Sequence, residues 1–233
     1  MDEKVMKILG LIPARGGSKA IPGKNIKMLA GKSLIQRAYE SASKSKYLDR
    51  IILSTDSDEI AENARSFGLE VPFMRPDEFA KDESPMIDAV IHALETLNKS
   101  GYVPDAVMLL QPTSPLRNAK HIDEAIDLLK DNDSVCSVIE IPQDMSPHYV
   151  MKINGDGYLD YFLPEGKNIK RRQDVPRAYK RDGTIFLTKT GVLLNEKNFY
   201  GKKCVPYFID TSLSVNIDTP EEWQIAEKKL KKE

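Results

Sequence analysis

Short apolar runs alternate with amphipathic stretches along most of the chain. The apolar runs have the length and composition of buried strands, and they are residues 7–12, 50–54, 70–74, 106–110, 134–141, 184–188 and 203–208. Between them, apolar residues recur at helical spacing in residues 33–43, 58–67, 86–98 and 122–129. Strands and helices that alternate in this order predict an α/β fold, with a mostly parallel sheet flanked by helices on both faces.

Capping signals mark the ends of two predicted helices. Asp58 stands where the second helix should begin and is predicted to cap it, and Gly68 follows the last apolar position and should end it. Near the end of the chain, Thr219 precedes Pro220 and two glutamates, which is typical of an N-cap and a first helical turn. We therefore predict a terminal helix after Thr219.

The alternation stops at residues 142–181. This segment is polar and proline-containing, and its two strand-like pieces, 149–153 and 158–162, are separated by Asn-Gly-Asp-Gly, which predicts a hairpin. It has too few apolar residues to fold alone. We therefore predict one domain over residues 1–233 in which residues 142–181 form an insertion, and we expect this insertion to mediate a homodimer.

A glycine-rich loop, residues 12–25, follows the first predicted strand directly. Its glycines allow the backbone to approach a ligand closely, and Arg15, Lys19 and Lys24 supply three cations. The loop lacks the spacing of a Walker A motif and of a dinucleotide site. This combination suits a triphosphate, and a solvated glycine turn is the alternative.

Polar residues also follow two other predicted strands, and the carboxyl ends of parallel strands meet at one edge of a sheet. Residues 54–57 read Ser-Thr-Asp-Ser, which is either a ligand contact or an ordinary turn into the next helix. Residues 109–117 contain two prolines, Gln111 and Arg117, and a rigid polar loop of this kind favours ligand binding.

The charge balance limits the partners of the protein. The 34 basic and 35 acidic residues give a formal net charge of −1, so no global field attracts nucleic acid or anionic membrane. Residues 167–181 are locally basic, with seven cations and one aspartate, which predicts either a solvated loop or an RNA patch. A single tyrosine offers little base stacking there, so we expect no nucleic acid. The first apolar run is too short for a signal peptide or a membrane span, and we expect a cytoplasmic protein.

Several of these segments resemble, in order, the motifs of the acylneuraminate cytidylyltransferase family, the enzymes that make CMP-sialic acids and that include the CMP-legionaminic acid type. The glycine loop resembles the N-terminal signature of that family, and Gln-Pro-Thr-Ser-Pro-Leu-Arg at residues 111–117 is similar almost letter for letter. The resemblance implies a Rossmann-like nucleotidyltransferase fold. It also implies a set of nucleotide-binding positions, namely Ala14, Arg15, Gly16, Ser18, Lys24, Asn25, Arg75 and Gln111.

The basic segment resembles the Arg-Arg-Gln-x-x-Pro motif of the same family, which meets the acidic sugar and lies near a partner subunit. The resemblance implies that Gln111, Arg172, Gln173 and Tyr179 bind the sugar. A guanidinium group is well suited to a carboxylate substrate.

The family's Asp-x-Asp magnesium motif corresponds to Asn216-Ile217-Asp218. Asp218 keeps the second carboxylate, and an amide replaces the first. The resemblance implies that Asp218 and Asn216 bind Mg²⁺, a cation that prefers oxygen ligands. From the residues alone, Asp218 is equally consistent with support of the following helix N-terminus.

The activity that the resemblance implies is a magnesium-dependent transfer of CMP from CTP to an acidic nine-carbon sugar, with Arg15, Lys24 and Asp218 as catalytic residues. Two alternatives to this activity stay open. One is the same transfer to the eight-carbon 3-deoxy-manno-octulosonate or to another sugar. The other is a silent module that binds the nucleotide without turnover, which the amide at position 216 would permit.

Overall fold

The structure, a computed structural model, describes residues 6–231 of the chain. In chain order the strands are β1 (Ile8–Pro13), β2 (Met28–Leu29), β3 (Lys32–Ser33), β4 (Leu48–Ser54), β5 (Ala106–Leu109), β6 (Ser134–Glu140), β7 (Met151–Ile153), β8 (Leu159–Tyr161), β9 (Tyr179–Lys189) and β10 (Cys204–Phe208). The α-helices are α1 (Leu34–Ser43), α2 (Asp58–Ser66), α3 (Met86–Lys99), α4 (Ala119–Leu129), α5 (Thr190–Glu196) and α6 (Pro220–Leu230).

The central sheet has the strand order β10-β6-β9-β5-β1-β4. β4, β1 and β5 are parallel neighbours, and β10 is parallel to β6. Only β9 runs antiparallel to its neighbours, β5 and β6, within this sheet. The predicted mostly parallel α/β fold is confirmed, and the amino end of β9 lies at the same edge as the carboxyl ends of the parallel strands.

Helices cover both faces of the sheet, as predicted. Every residue of β1 is buried, which explains why this strand is apolar at successive positions instead of alternating. Ile8 and Ile12 pack with residues of α1, α2 and α4, whereas Leu9 and Leu11 pack with α3. Each such buried side chain contributes about 1.5–3 kcal/mol through removal of apolar surface from water.

The structure corrects one predicted cap and confirms another. Asp58 is the first residue of α2, and the side chain of Ser57 is the cap, because its Oγ accepts from the N–H of Ile60 at 3.4 Å. Thr219 caps α6 as predicted, and Glu222 completes a capping box by accepting from the N–H of Thr219 at 2.9 Å.

The predicted strand over residues 70–74 is wrong. Only two isolated parallel bridges form here, Ile52 with Glu70 and Thr55 with Met74, both beside β4. Pro72 lies between the two bridges and has no N–H to donate, so a continuous ladder cannot form.

β9 is longer than the predicted residues 184–188, and it contains a bulge. Its pairing with β6 shifts from Cys136 opposite Phe186 to Val138 opposite Arg181. Residues 182–185 therefore lie outside the regular ladder. Gly183 has a φ of +85°, which glycine adopts without the penalty that a Cβ would bring.

The insertion contains the predicted hairpin. β7 and β8 pair antiparallel, and the Asn154 side chain accepts from the N–H groups of Asp156 and Tyr158 at 3.1 and 2.9 Å. Several large apolar side chains of this segment are exposed, namely Met145, Ile153, Tyr158, Leu159 and Phe162. Among residues 6–231, no helix combines the length and the apolar character that crossing a bilayer requires.

Candidate active site

Two neighbouring clefts open at the carboxyl edge of the sheet. The first cleft has a volume of about 550 Å³, and its lining includes Arg15, Ser18, Lys19, Lys24, Asn25, Arg75, Asp82, Met86 and Thr113. The second cleft has a volume of about 700 Å³, and its lining includes Ile139, Lys180, Arg181, Asp182, Gly183, Phe186, Ser214, Glu222 and Ile225. Gln111, Asn216 and Asp218 line both clefts, so the two spaces meet at these side chains.

The glycine loop is fixed against the end of β4. The N–H of Gly16 donates to Asp56 Oδ1 at 3.0 Å, and a Cβ on Gly16 would lie 3.1 Å from the Cβ of Ser57. Asn25 Nδ2 donates to the carbonyl oxygen of Arg15 at 3.0 Å. Asp56 thus holds the loop in place, and Ala14 is buried beneath it.

The cations of the loop meet Asp82, an aspartate that the sequence did not identify as part of the site. Arg15 Nη2 lies 2.7 Å from Asp82 Oδ1, and Lys19 pairs with the other carboxylate oxygen. The hydrogen bond from Lys19, reinforced by the charge of Arg15, lowers the pKa of Asp82 below its ordinary value. Residue 82 therefore brings a negative charge into the cationic part of the first cleft.

Lys24 connects the glycine loop to the segment before α6. Its Nζ donates to the carbonyl oxygen of Ile217 at 2.7 Å and to Asp218 Oδ1 at 3.1 Å. The Lys24 side chain is mostly buried, whereas that of Asp218 is 64% exposed. The lysine is therefore held in place, while the carboxylate remains accessible to a ligand.

Arg75 lines the first cleft but is anchored to β4. Its Nε donates to Ser54 Oγ at 3.0 Å, and its Nη2 donates to the carbonyl oxygen of Ser54 at 2.5 Å. Burial lowers the pKa of the Arg75 guanidinium below its ordinary value, and the charge of Asp56 opposes that shift. Ser54 thus orients an arginine at the wall of the cleft.

The loop that begins at Gln111 is held by a backbone hydrogen bond to the segment before α6, and the buried side chain of Arg117 lies beneath it. The N–H of Ile217 donates to the carbonyl oxygen of Thr113 at 2.8 Å, which joins this loop to the Asn216–Asp218 segment. Arg117, which the sequence suggested as a ligand-facing guanidinium, is 5% exposed and lies beneath the loop, not in a cleft. Burial lowers the pKa of Arg117 to about 10, and the charge of Asp182 opposes that shift.

Asn216 and Asp218 offer oxygen ligands at the junction of the two clefts. Asn216 Nδ2 donates to Asp218 Oδ2 at 3.2 Å, and Asn216 Oδ1 is buried without a hydrogen-bond partner in the described part of the chain. A half-turn of the amide would put this oxygen beside the carboxylate, and two such oxygens suit a hard cation. The donor set therefore fits Mg²⁺ with further oxygens from a phosphate.

The predicted sugar-binding residues of the insertion lie elsewhere. Arg172 and Gln173 are exposed in a short 3-10 turn, and Tyr179 packs edge-on against Phe208 with ring centroids 5.4 Å apart. Neither cleft, as residues 6–231 form it, includes these three side chains. Lys180 and Arg181 are the basic residues of the second cleft, and the basic composition of residues 167–181 did not single them out.

Comparison with known proteins shows the family of this chain. The sequence profile described as "Cytidylyltransferase" matches residues 9–218. The chain is 36% identical to the CMP-N,N'-diacetyllegionaminic acid synthase of Legionella pneumophila, over 96% of each chain. It is 30% identical to the N-acylneuraminate cytidylyltransferase of Escherichia coli, over 94% of this chain and 51% of that longer protein.

A solved structure supports the fold independently. A CMP:2-keto-3-deoxy-manno-octonic acid synthetase in complex with CTP superposes with a TM-score of 0.75, covering 97% of this chain and 99% of the other. The two sequences are 19% identical, so this likeness concerns the fold alone.

Proposed function

Because this chain belongs to the cytidylyltransferase family and is a CTP-dependent nucleotidyltransferase, we propose that it activates a nine-carbon acidic sugar of the sialic or legionaminic acid type. CTP and the sugar would give the CMP-sugar and pyrophosphate. The observation that carries the proposal is the junction of two clefts at Gln111 and Asp218. One cleft is cationic and suits a triphosphate, and the other is large enough for a sugar acid.

The first cleft would hold CTP. Arg15 and Lys24 approach it from the glycine loop, and both can neutralise negative charge that develops on the phosphates during transfer. Ser18 and Asn25 offer further polar groups, and Arg75 and Gln111 line the same space. Asp82 would have to leave Arg15 and Lys19 as the triphosphate binds, because the same cations serve both anions.

The second cleft would hold the acceptor. A sugar bound there would direct its anomeric hydroxyl past Gln111 toward the α-phosphorus. A new bond between the sugar oxygen and phosphorus would form as the bond to pyrophosphate breaks, and the hydroxyl proton would pass to solvent. Lys180 and Arg181 are the cations in the lining of this cleft, which also contains Asp182, Asp218 and Glu222, and these two cations would pair with the sugar's carboxylate.

Mg²⁺ would lie at the junction, held by Asp218 and Asn216. When bound, this cation neutralises the phosphate oxygens and supplies the charge stabilisation that phosphoryl transfer requires. Lys24 is hydrogen-bonded to Asp218 and to the carbonyl oxygen of Ile217 and would therefore set the position of that carboxylate.

Arg172, Gln173 and Tyr179 would contribute to sugar binding from the partner subunit of a homodimer. Two observations support this proposal. These side chains line neither cleft of their own subunit, and the insertion that carries them exposes Ile153, Tyr158 and other large apolar side chains. Burial of such a surface against a second copy is favourable. The protein would act in the cytoplasm, where CTP is available.

Pyrophosphate release tests the proposal. The purified protein is mixed with Mg²⁺, CTP and one acceptor at a time, drawn from sialic, legionaminic, pseudaminic and octulosonic acids. We expect release with at least one nine-carbon acid and none when ATP or UTP replaces CTP. Release with octulosonic acid alone would favour the eight-carbon alternative. CTP binding without release for any acceptor would favour the silent module, the alternative that Asn216 raises.

A further inference from the structure

The bulge in β9 forms part of the wall of the second cleft, next to Gln111. Asp182 and Gly183 lie in the bulge and line that cleft. A Cβ on Gly183 would lie 3.3 Å from Gln111 Oε1, so the glycine and the glutamine side chain are close neighbours. Bulges next to active sites redirect side chains, and this one brings residues 182–183 against the side chain that both clefts share.

Side chains replace the ladder hydrogen bonds that the bulge loses. Ser137 Oγ accepts from the N–H of Ile185 at 2.8 Å and lies 3.3 Å from its carbonyl oxygen. Asp182 accepts from the N–H and the hydroxyl of Thr184 at 3.2 and 2.6 Å. Hydrogen bonds of Asp182 within β9 and of Ser137 in β6 thus hold the bulge in place.

Arg117 connects the bulge to the loop that begins at Gln111. Its Nη1 donates to the carbonyl oxygen of Gln111 at 3.1 Å and to that of Thr184 at 3.2 Å. The same nitrogen therefore joins the start of the Gln111 loop to the bulge. The Gln111 carbonyl also accepts from the N–H of Ser114 at 3.3 Å, so the loop turns around this point.

Burial of the charged Arg117 side chain costs free energy. Arg117 Nε and Nη2 have no hydrogen-bond partner in the described part of the chain, and neither does the hydroxyl of Ser114, which is 3% exposed. Unpaired buried donors cost free energy, and an apolar side chain of similar volume is often no worse for stability. A role in stability alone therefore does not explain an arginine at position 117, whereas a link between the two segments does.

We propose that Arg117 is a positioning residue that sets the separation between Gln111 and the β9 bulge, and thereby aligns the acceptor in the second cleft with the nucleotide in the first. The inference rests on the proposed function, because it names the acceptor side of that site. Arg117 itself would touch neither substrate. Its loss should weaken acceptor binding and turnover while leaving the cationic part of the first cleft intact.

Three variants separate positioning from stability. Arg117→Met removes the link, and Arg117→Lys keeps a charged nitrogen that can donate to both carbonyls. Arg50→Met is the matched control, because Arg50 pairs with Glu70 near the start of β4, away from the clefts. For each protein the measurements are the melting temperature, the Kd for CTP, kcat, the KM for the preferred acceptor, and hydrogen exchange of residues 179–189.

We expect Arg117→Met to raise the acceptor KM or lower kcat by about tenfold or more, as the loss of charged hydrogen bonds of this kind does. Its Kd for CTP should stay within about twofold of wild type, and amides of the bulge should exchange faster. Arg117→Lys should recover most of the activity, and Arg50→Met should behave as wild type in kcat and acceptor KM.

Two results would overturn the inference. One is an Arg117→Met protein with wild-type acceptor KM and kcat. The other is a loss of CTP binding equal to the loss of turnover in both Arg117 variants, which would mean a general structural role. If wild type itself binds no CTP or releases no pyrophosphate with any acceptor, the proposed function fails first and the inference falls with it.

Discussion

Lys24 is the side chain at which the glycine loop and the Asp218 segment meet. Its Nζ contacts both the carbonyl oxygen of Ile217 and the carboxylate of Asp218. The composition of the loop identified Lys24 as one of three cations. The sequence could not show that this side chain reaches a segment near the end of the chain. Such a contact forms only when the chain folds, because Lys24 and Asp218 are far apart in sequence.

Lys24→Ala should lower kcat/KM for CTP by about 100-fold or more, because the variant removes a cation that faces the developing phosphate charge. Thermal unfolding should show a folded protein. Lys27→Ala is the matched control, since Lys27 lies 5.0 Å from the ring centroid of Trp223 and lines neither cleft. A Lys24→Ala enzyme with wild-type kcat/KM would remove Lys24 from the phosphate site.

With an amide instead of a carboxylate at position 216, the enzyme should need a higher Mg²⁺ concentration for activity. An amide oxygen can bind Mg²⁺ but carries no charge, so Asn216→Asp should lower the Mg²⁺ concentration at half-maximal rate. Asp218→Ala should abolish turnover, because it removes the carboxylate of the motif. Initial rates at fixed CTP and increasing Mg²⁺ compare the three proteins. Near wild-type rates for Asp218→Ala would mean that the metal binds elsewhere.

At the level of elements, the segment between Arg75 and α3 brings an anion to the cations of the glycine loop. Asp82 pairs with Arg15 and Lys19, and these pairs are exposed to solvent. The sequence showed only a charged run, which is usually a solvated loop. The pairing partners come from a different loop, so the pattern of charges along the chain could not reveal them.

Asp82→Asn should bind CTP more tightly at low salt, since it removes an anion that competes with the triphosphate for Arg15 and Lys19. The gain should shrink as salt increases, because exposed charges are screened. Calorimetric Kd values at two ionic strengths provide the measurement, and Asp77→Asn, an exposed aspartate in the preceding 3-10 turn, is the control. Weaker CTP binding by Asp82→Asn would show that Asp82 supports the nucleotide instead of competing with it.

Regular elements were predictable because burial imposes a period on the sequence, and irregular ones were not. The period of α1 and the continuous apolar run of β1 both identified elements that the structure contains. Residues 70–74 have the composition of a strand, yet Pro72 interrupts the ladder. Gly183 is a signal for a bulge within the sequence of β9, but the side chains of Arg117 and Ser137 that bind the bulge lie outside β9, so the sequence of β9 could not show these contacts.

At the scale of the whole molecule, the exposed apolar side chains of the insertion predict a homodimer. Light scattering at micromolar concentration should give twice the mass of one chain. Ile153→Lys combined with Leu159→Lys should shift the protein toward a monomer, because both side chains are highly exposed on the hairpin. The acceptor KM should rise in that monomer if Arg172 and Gln173 act on the partner's site. A monomeric mass for wild type would contradict the prediction.

The central claim is that the two joined clefts transfer CMP to a nine-carbon acidic sugar. The most direct measurement is a competition in one reaction, with CTP, Mg²⁺ and equal concentrations of legionaminic, sialic and octulosonic acids, analysed by mass spectrometry of the products. We predict that CMP appears on a nine-carbon acid in amounts equal to the pyrophosphate released. CMP on octulosonic acid alone, or loss of CTP without a CMP-sugar, would contradict this account.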